Sequence, residues 1–363
     1  MRKNQKPAIM EYFIVNRQLS VIKIAMACVF FLTVSGFAQV GSNVVDWGVH
    51  PLGFSRVGSS GWQFLKLPCD ARSAAMGGIT TAVAFGNAGS ALNNPASTVD
   101  VKDMDIEFTT MNWVADIKYN TLSFVKNIPG IGAIGINCIY VNYGDMIRTT
   151  VEEGFGPSGN SLGVIPITEG KGTFSAHDMA IGLSYSQQIT VSLQVGGTLR
   201  YVEEQIDDAK MGSWALNIGT MYWTGLGSLR ISMLGRNFGS DGQFQSFSGR
   251  QALAPANVRL PMEFVIGAAY DVYQTDLHRV TVAGEYLKPN DGPDKYNVGV
   301  EYFAFSNIYM RGGYKFNYDE GTYTLGVGAE YGVSENYGIK FDYAYTNVGR
   351  FDAVHVLSCG FVF

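Results

Sequence analysis

Hydrophobic and polar residues alternate along most of the chain beyond about residue 103. The pattern is clearest in 336–345, where apolar and mostly aromatic residues take every second position: Tyr337, Ile339, Phe341, Tyr343 and Tyr345. The positions between them carry Gly338, Lys340, Asp342 and Ala344. Alternation with a period of two predicts a strand with two unlike faces. An apolar face opposite a small or polar face is typical of a strand between lipid and a polar lumen.

Alternation and turn signals divide this part of the chain into fourteen predicted strands. The predicted strands are 103–111, 118–126, 131–142, 173–187, 192–206, 212–223, 227–237, 262–272, 277–288, 295–303, 306–314, 322–332, 336–345 and 354–363. Two of them, 131–142 and 306–314, alternate less regularly than the others. An even number of strands returns the chain to the side on which it began, so we expect both ends of the barrel in the periplasm.

The connections between the predicted strands tend to alternate between short and long. The connections at 127–130 and 188–191 are short, whereas 143–172 and 238–261 are long. Short periplasmic turns and longer external loops are typical of outer-membrane barrels. In a closed barrel the last strand must pair with the first, which removes the exposed edges. The sequence therefore predicts an all-β membrane protein, a 14-stranded antiparallel transmembrane β-barrel with an N-terminal hatch or plug segment.

The first 38 residues have the features of a signal peptide. Basic residues precede an uncharged apolar run at 24–34, and small residues occupy the −3 and −1 positions of a cut after Ala38. The apolar run is too short for a transmembrane helix. Cys28 follows a sequence that resembles a lipoprotein cleavage box, but it lies within the apolar run, which favours an ordinary signal-peptide residue over lipidation.

Residues 39–102 do not alternate and are predicted to form a separate segment before the barrel at 103–363. The stretch 70–78 predicts a short helix that ends at a glycine cap. Asn93-Asn94-Pro95-Ala96 predicts a turn. A compact segment rich in Ala and Gly before a barrel is a candidate plug. The alternative is a periplasmic extension that never enters the lumen.

Charged residues fall on the polar faces of the predicted strands, so we expect them to face the lumen. The predicted inward-facing charges are Arg200, Arg230, Arg236, Glu263, Glu301, Arg311, Glu330, Lys340 and Asp342. Because both signs are present, the pattern favours a salt-bridged lumen over an ion-selective ring. We interpret these residues first as a network that stabilises the barrel.

Composition narrows the range of functions. Charged residues make up 16% of the chain and aromatic residues 13%, with 44 glycines, which fits a membrane barrel but also a large soluble β-sandwich. Removing the net +4 of the signal peptide from the overall −5 leaves −9 on the mature chain, which argues against nucleic-acid binding. Three cysteines remain after that cut, and an odd number at wide spacing does not predict a disulfide framework.

The sequence contains no arrangement of residues that predicts an enzyme, a cofactor site or a metal site. The four histidines are scattered, and no hydrolase or phosphate-binding motif is present. His177 and Asp178 are adjacent, but neighbours on a strand point to opposite faces. A nucleophile and a base cannot be placed together, so we expect a protein without catalytic activity.

Several motifs resemble those of the PorV/PorQ family. The most extensive is the stretch 64–78 followed by 94–96, and further matches occur at 113–119, 143–146, 311–316 and 342–345. The resemblance covers roughly residues 60–363 in the expected order. The residues that carry the resemblance in the N-terminal segment are Asp70, Arg72, Met76, Gly77, Gly78, Asn94, Pro95 and Ala96.

The resemblance implies a fold, a location and a set of partners. The family is similar to the fatty-acid transporter FadL, with fourteen strands and an N-terminal hatch. PorV and PorQ are components of the type IX secretion system of the Bacteroidota. PorV-like proteins associate with the translocon, receive exported proteins through C-terminal signal domains and pass them to the surface attachment complex. The resemblance thus implies outer-membrane lipids, translocon and attachment components and secreted proteins as partners. The alternative is a FadL-like transporter of hydrophobic small molecules.

The last predicted strand ends on an aromatic residue. His355, Leu357, Cys359, Phe361 and Phe363 share one face of that strand. An aromatic C-terminus resembles the signal that the outer-membrane assembly machinery reads. We therefore expect Phe361 and Phe363 to act in membrane insertion.

Overall fold

A computed structural model describes residues 58–83, 86–155, 161–167, 172–244, 257–305, 307–333 and 337–363, with side chains omitted at 150–155 and 161–167. The predicted signal peptide, its cleavage site after Ala38 and Cys28 lie outside the described residues. None of the helices in the described part of the chain is long and apolar enough to cross a membrane.

The described residues form sixteen strands, of which fourteen close into one antiparallel barrel. The strands are β1 (Met104–Asn112), β2 (Lys118–Ile128), β3 (Gly132–Ile147), β4 (Thr150–Phe155), β5 (Ser161–Ile167), β6 (Thr173–Thr190), β7 (Leu193–Ile206), β8 (Ala209–Trp223), β9 (Arg230–Gly239), β10 (Glu263–Gln274), β11 (His278–Pro289), β12 (Lys295–Ala304), β13 (Ile308–Phe316), β14 (Tyr323–Gly332), β15 (Gly338–Thr346) and β16 (Val354–Val362). The predicted 14-stranded barrel is confirmed, and each predicted strand corresponds to one strand of the barrel.

Two strands form a separate hairpin that the sequence pattern did not predict. β4 and β5 pair only with each other, inside the connection 148–172 between β3 and β6. Glycine, serine and proline in this connection lower its strand propensity, and Pro166 interrupts the strand signal in β5. β3 also continues to Ile147, five residues beyond its predicted end.

The barrel closes through the pairing of its first and last strands. β1 and β16 are antiparallel over eight residue pairs, from Asp105 opposite Val362 to Asn112 opposite His355. The Phe363 amide donates to the Met104 carbonyl oxygen at 2.8 Å and extends this pairing by one residue. The closure predicted from the sequence is confirmed, and it leaves no unpaired edge.

Alternate residues face the lumen and the outside, as the pattern predicted. In β7 the inward positions include buried Gln194, Thr198 and Arg200, whereas Leu199 between them is exposed. β3 also alternates in the structure, but its inward residues Ile139 and Val141 are apolar. This explains why the sequence pattern in β3 looked irregular, because both faces carry apolar side chains there.

The two ends of the barrel differ in their connections. At the end that holds the start of β1 and the end of β16, which we call the turn end, the connections have two to six residues. At the opposite end, the loop end, the connections include 148–172 and 240–262. The predicted asymmetry has one clear exception, because only Asp207 and Asp208 join β7 to β8 at the loop end.

Residues 58–83 and 86–103, which we call the inner segment, contact the wall of the barrel on all sides. A short helix, α1 (Ala71–Ala75), packs against β13, β14, β15 and β16. Two 3-10 helices, at Ala88–Ala91 and Pro95–Asp100, pack against β1–β3 and β6–β8. A chain that contacts opposite walls of a closed barrel lies within the lumen. The interpretation of this region as an extension outside the lumen therefore does not describe residues 58–103.

The inner segment runs from the loop end to the turn end. Near its start, the Gly61 amide donates to the carbonyl oxygen of Arg259 in the loop before β10, at 3.0 Å. Near its end, Val99 and Val101 accept hydrogen bonds from Asn127 in the last turn-end residues of β2. Its function as a hatch remains a prediction.

Candidate functional site

Part of the lumen near the loop end is filled by apolar side chains. Side chains from the loop-end parts of eight strands, from the inner segment and from the connections 240–262 and 347–353 form one buried hydrophobic cluster, here called the apolar cluster. Its larger members are Trp62, Phe64, Leu65, Leu92, Met111, Tyr119, Ile139, Val141, Val202, Met211, Leu260, Val354 and Val356. Barrel interiors in membranes are ordinarily polar. Here apolar side chains of the wall pack instead against Trp62, Phe64 and Leu65 of the inner segment.

Partly buried residues extend the apolar cluster toward the loop-end opening. They are Leu67, Trp113, Val114, Ile117, Tyr143, Phe244 and Val258. The connection between β1 and β2 holds Trp113, Val114 and Ile117 in a tight turn in which the Trp113 amide donates to the Ile117 carbonyl oxygen at 2.8 Å. Ala115 and Asp116 in this turn both have positive φ, at 57° and 59°. Two consecutive left-handed residues of this kind are typical of a hairpin turn, and they let β1 and β2 pair up to Asn112 and Lys118.

Trp62 covers the apolar cluster from the side of the inner segment. Its side chain is 1% exposed, and its backbone is left-handed at φ 46° and ψ 41°. The Trp62 amide donates to Glu204 Oε2 on β7 at 3.1 Å. This bond links the inner segment to the wall beside Val202.

Asp291, in the loop between β11 and β12, holds the start of the inner segment. Its carboxylate accepts hydrogen bonds from Ser60, from the Gln63 side chain at 2.9 Å and from the Lys66 ammonium group. Burial disfavours the charged form of Asp291, but these hydrogen bonds and the charge of Lys66 outweigh it and hold the pKa of Asp291 below its ordinary value. The link is therefore ionised at neutral pH.

The predicted motif around residue 70 forms α1 and its two caps. Asp70 is the N-cap and accepts a hydrogen bond from the Ser73 amide at 2.7 Å. Arg72 projects from α1 to Glu301 on β12, with Nε to Oε2 and Nη2 to Oε1 both at 2.9 Å. Asp70 thus caps the start of α1, and Arg72 binds α1 to the barrel wall.

The end of the same motif lies directly against the wall. Met76 is buried, and Gly77 and Gly78 have φ values of 76° and 79°. The Gly78 amide donates to the Ser73 carbonyl oxygen at 2.8 Å, which is a glycine C-cap as predicted. A Cβ on Gly313 of β13 would lie 2.1 Å from the Gly77 nitrogen. Glycine is required on both sides of this contact.

Asn94, Pro95 and Ala96 start the second 3-10 helix and contact the wall between β7 and β9. The Asn94 side chain accepts a hydrogen bond from the Ala96 amide at 3.1 Å and donates to Ser232 Oγ at 2.8 Å. Pro95 and Ala96 lie against Gly196, where a Cβ would be 2.6 Å from the Pro95 carbonyl carbon. The motif residues therefore belong to the contact between the inner segment and the barrel.

Most of the predicted lumen charges form ion pairs on the inner face. Glu301 binds Arg311 at 2.7 Å as well as Arg72, and Arg311 also contacts Asp342. The other contacts of the predicted charges are Arg236 with Glu263 at 2.6 Å, Arg230 with Asp271 at 3.3 Å, Lys340 with Asp105 at 3.2 Å and Glu330 with the Tyr309 hydroxyl at 3.1 Å.

Arg200 differs from the other inward-facing charges. It is 2% exposed, and its Nη2 donates to Asn137 Oδ1 at 3.4 Å. Within the described ranges its Nε has no hydrogen-bond partner, and no carboxylate forms an ion pair with it. Arg200 therefore differs in its contacts from Arg230, Arg236 and Arg311, although the sequence pattern predicts the same inward-facing position for all four.

The geometry offers no catalytic arrangement among the described residues. These residues contain no group of three or more His, Cys, Asp or Glu placed to hold a metal ion. Buried Asp178 accepts a hydrogen bond from the Tyr143 hydroxyl at 2.5 Å. The ring of His177 lies beside Tyr140, whose side chain is exposed on the outer face. The adjacent His and Asp therefore point to opposite sides of the wall.

Several residues of the site were not singled out from the sequence. Asp291 and Glu285 are the clearest cases, because each binds a part of the inner segment more than 200 residues away. Trp62 lies just before the motif at 64–78, which carries the family resemblance. The apolar cluster could have been predicted in part from the sequence. Apolar Val141 and Val202 occupy inward positions of β3 and β7, at which a polar lumen would call for polar residues.

Comparison with solved structures identifies similar barrels. The chain is similar to the CymD monoaromatic hydrocarbon channel, at 14% identity and a TM-score of 0.53 over 82% of this chain and 98% of that one. It is similar to the Pseudomonas putida toluene transporter TodX, at 12% identity and a TM-score of 0.51 over 80% and 96%. It is also similar to a Pseudomonas aeruginosa FadL homologue, at 9% identity and a TM-score of 0.50 over 82% and 99%.

These likenesses concern the fold alone, because the sequence identities are low. The fold is a closed 14-stranded antiparallel barrel of the kind found in FadL-like outer-membrane proteins. No protein-family model matches the chain, and no curated protein sequence matches it.

Proposed function

We propose that this protein carries hydrophobic small molecules across the outer membrane. The observation that supports this most strongly is the apolar cluster, which lines the loop-end half of a lumen that would be polar in a water-filled pore. The similar structures include channels and transporters for toluene and other monoaromatic hydrocarbons, and a related substrate class suits the same kind of surface. In this proposal the protein resides in the outer membrane after its signal peptide has been cleaved near Ala38.

The inner segment acts as the hatch in this proposal. A hydrophobic molecule enters at the loop end, past Trp113 and Tyr143, and binds against the apolar cluster. Its passage toward the turn end requires the inner segment to move, because that segment packs against strands all round the lumen. The ion pair between Arg72 and Glu301 and the contacts of Asp291 resist this movement and keep the empty barrel closed.

A matched pair of substitutions tests the proposal. Val141→Thr places a hydroxyl in the apolar cluster, and Val125→Thr makes the same change at an equally buried inward position outside the cluster. We expect Val141→Thr to lower toluene uptake by cells of a porin-deficient Gram-negative host about tenfold, since an apolar site must then desolvate a hydroxyl. Val125→Thr should leave uptake close to that of the unmodified protein. Equal uptake by cells with and without the protein would contradict the proposal.

A role in type IX secretion is the second candidate, and the motif at 64–78 with 94–96 is the observation that favours it. In that case the loop-end connections 148–172 and 240–262 are the expected contact surfaces for the translocon and for secreted proteins. Deleting the gene and comparing surface and periplasmic proteomes distinguishes the two functions. Unchanged amounts of surface proteins with type IX signal domains would exclude this role.

A further inference from the structure

Two carboxylates lie side by side on the inner face of the wall near the loop end. Asp178 on β6 is directly opposite Glu204 on β7 in the register of the two strands. Asp178 is inward-facing and 2% exposed. Glu204 also points inward, since its Oε2 accepts the hydrogen bond from the Trp62 amide of the inner segment. Like charges directly opposite each other on neighbouring strands destabilise the pairing.

The surroundings of this carboxylate pair are apolar. At the same level of the wall, Val141 on β3 lies opposite Asp178, and Met211 on β8 lies opposite Glu204. Val141 and Met211 are both buried members of the apolar cluster. Because such surroundings screen charge poorly, the two carboxylates repel each other more strongly than they would in water.

No basic side chain balances the carboxylate pair among the described residues. Arg148, which is also at the loop end, pairs with Asp207 instead, at 2.7 Å. The inward-facing cation of β7, Arg200, is four residues from Glu204, which corresponds to roughly 13 Å along the strand. The pair therefore brings two negative charges into the lumen without a counter-charge from the part of the chain that the structure describes.

Asp178 also has a buried oxygen that nothing in the described ranges binds. The Tyr143 hydroxyl donates to Oδ2 at 2.5 Å, whereas Oδ1 has no hydrogen-bond partner. A buried carboxylate with a bare oxygen is unfavourable unless a positive charge or a donor is supplied. Glu204 is only partly buried, so a small ion from the loop-end side can reach the pair.

The charge and the atoms of the pair indicate which ion it would bind. Two carboxylates carry two negative charges, and a divalent cation neutralises both. Their ligand atoms are oxygens, which hard cations such as Ca²⁺ and Mg²⁺ prefer. Mg²⁺ gives up its water reluctantly, whereas Ca²⁺ accepts carboxylates, hydroxyls and carbonyl oxygens in flexible geometry. Ca²⁺ therefore suits a partly buried position between apolar side chains better.

We propose that Asp178 and Glu204 bind a Ca²⁺ ion at the loop end of the lumen. The ion bridges β6 and β7 and removes the repulsion between their carboxylates. Because Glu204 also holds the Trp62 amide, the ion fixes the inner segment at the point where it covers the apolar cluster. This calcium site is a property beyond the proposed transport function and does not depend on it.

Calcium titration of the unmodified protein is the first test. Full-length mature protein is placed in phosphatidylcholine nanodiscs, treated with EDTA, exchanged into metal-free buffer and titrated calorimetrically with CaCl2, with empty nanodiscs as the blank. We expect one saturable site with a Kd of about 0.1–1 mM, the range of extracellular calcium-binding modules.

Variants assign the ion to the carboxylate pair. Asp178→Asn and Glu204→Gln each remove one charged ligand and should weaken Ca²⁺ binding at least about tenfold. Glu203→Gln is the matched control, because Glu203 is the next residue of β7, points to the other face and pairs with Lys210 at 3.1 Å. It should bind Ca²⁺ like the unmodified protein. Heat-modifiable migration on gels verifies that each variant is folded.

Trp62 supplies an optical reporter at the same place. Tb³⁺ replaces Ca²⁺ in oxygen sites and emits when a neighbouring tryptophan is excited. The unmodified protein should sensitise Tb³⁺, and added CaCl2 should abolish the emission by displacement. Trp62→Phe keeps the backbone amide, so it should lose most of the emission while its calorimetric affinity for Ca²⁺ stays unchanged.

Three results would overturn the calcium site. The first is the absence of saturable Ca²⁺ binding by the unmodified protein up to about 10 mM, well above the expected range. The second is unchanged binding by both Asp178→Asn and Glu204→Gln, which would place the ion elsewhere. The third is Tb³⁺ emission that Trp62→Phe does not reduce. The first titration needs no variant, and none of these measurements involves uptake, so the transport proposal stands or falls separately.

Discussion

Arg72 and Glu301 form a two-pronged ion pair between the inner segment and the barrel wall, with both N–O distances at 2.9 Å. Glu301 accepts a third bond, from Arg311 Nε at 2.7 Å. One buried carboxylate thus balances a charge on the inner segment and a charge on β13. The position of the inner segment and the stability of the wall depend on the same side chain.

Replacing Glu301 should destabilise the barrel and release the inner segment. Glu301→Gln leaves Arg72 without its ion pair and Arg311 with Asp342 alone, and breaking a buried pair costs about 3–5 kcal/mol. The temperature at which the folded gel band is lost should fall markedly. Glu330→Gln is the control, because Glu330 is partly exposed and accepts its bond from the neutral Tyr309. Equal stability of the two variants would argue against the role of Glu301.

A methyl group on one of two adjacent glycines should displace the inner segment. A Cβ on Gly313 would overlap the backbone of Gly77, whereas a Cβ on Gly312 would have no neighbour closer than 3.8 Å. We expect Gly313→Ala to cost about 1–3 kcal/mol through overpacking. Limited proteolysis should then cut Gly313→Ala within residues 58–103 sooner than the unmodified protein. Gly312→Ala should resemble the unmodified protein.

The link at Asp291 should persist over the whole range near neutral pH. The pKa of Asp291 is lower in the folded protein than in the unfolded chain, so its contribution to stability is complete above the unfolded value and disappears as the pH falls through the folded value. Asp291→Asn should make the peptide near Lys66 more accessible to protease at about pH 7. The difference between this variant and the unmodified protein should vanish at a pH below the folded pKa. A difference independent of pH would contradict an ionic link.

The aromatic end of β16 should matter for insertion. Phe361 faces outward, and the Phe363 ring packs against Tyr337 at 5.8 Å between centroids. Phe363→Ala should reduce the amount of assembled protein more than it reduces uptake per assembled molecule. Leu357→Ala, on the same outward face near the middle of the strand, is the control. Quantitative blotting of the heat-modifiable band and uptake assays measure the two quantities.

Local pattern was sufficient to predict the wall of the barrel. A strand in a membrane barrel must place unlike residues on its two faces, and that requirement appears directly in segments such as 336–345. Closure follows from the same pattern, since an unpaired edge in lipid leaves backbone groups unsatisfied. The strands of the β4–β5 hairpin carry no such pattern, because they lie in a loop-end connection beyond the barrel.

The interior of the barrel depends on contacts that no local pattern encodes. Thr80 and Thr81 donate to Glu285, more than 200 residues away, and nothing in either stretch of sequence indicates the other. Arg200 and Arg311 also look alike on their strands, although only Arg311 has a carboxylate partner among the described residues. The difference comes from the neighbouring strands: Arg311 lies opposite Glu301 on β12, whereas Arg200 lies opposite Gly182 on β6 and Ala215 on β8.

The pairing of β1 with β16 has a consequence for the order of folding. The inner segment is continuous with β1, and it bonds to strands on opposite walls, such as β9 and β16. Threading such a chain through a finished and tightly packed cylinder would require breaking those walls apart again. The seam between β1 and β16 is therefore expected to close last, around a core already in place, so that the contents of this barrel are a template for its wall.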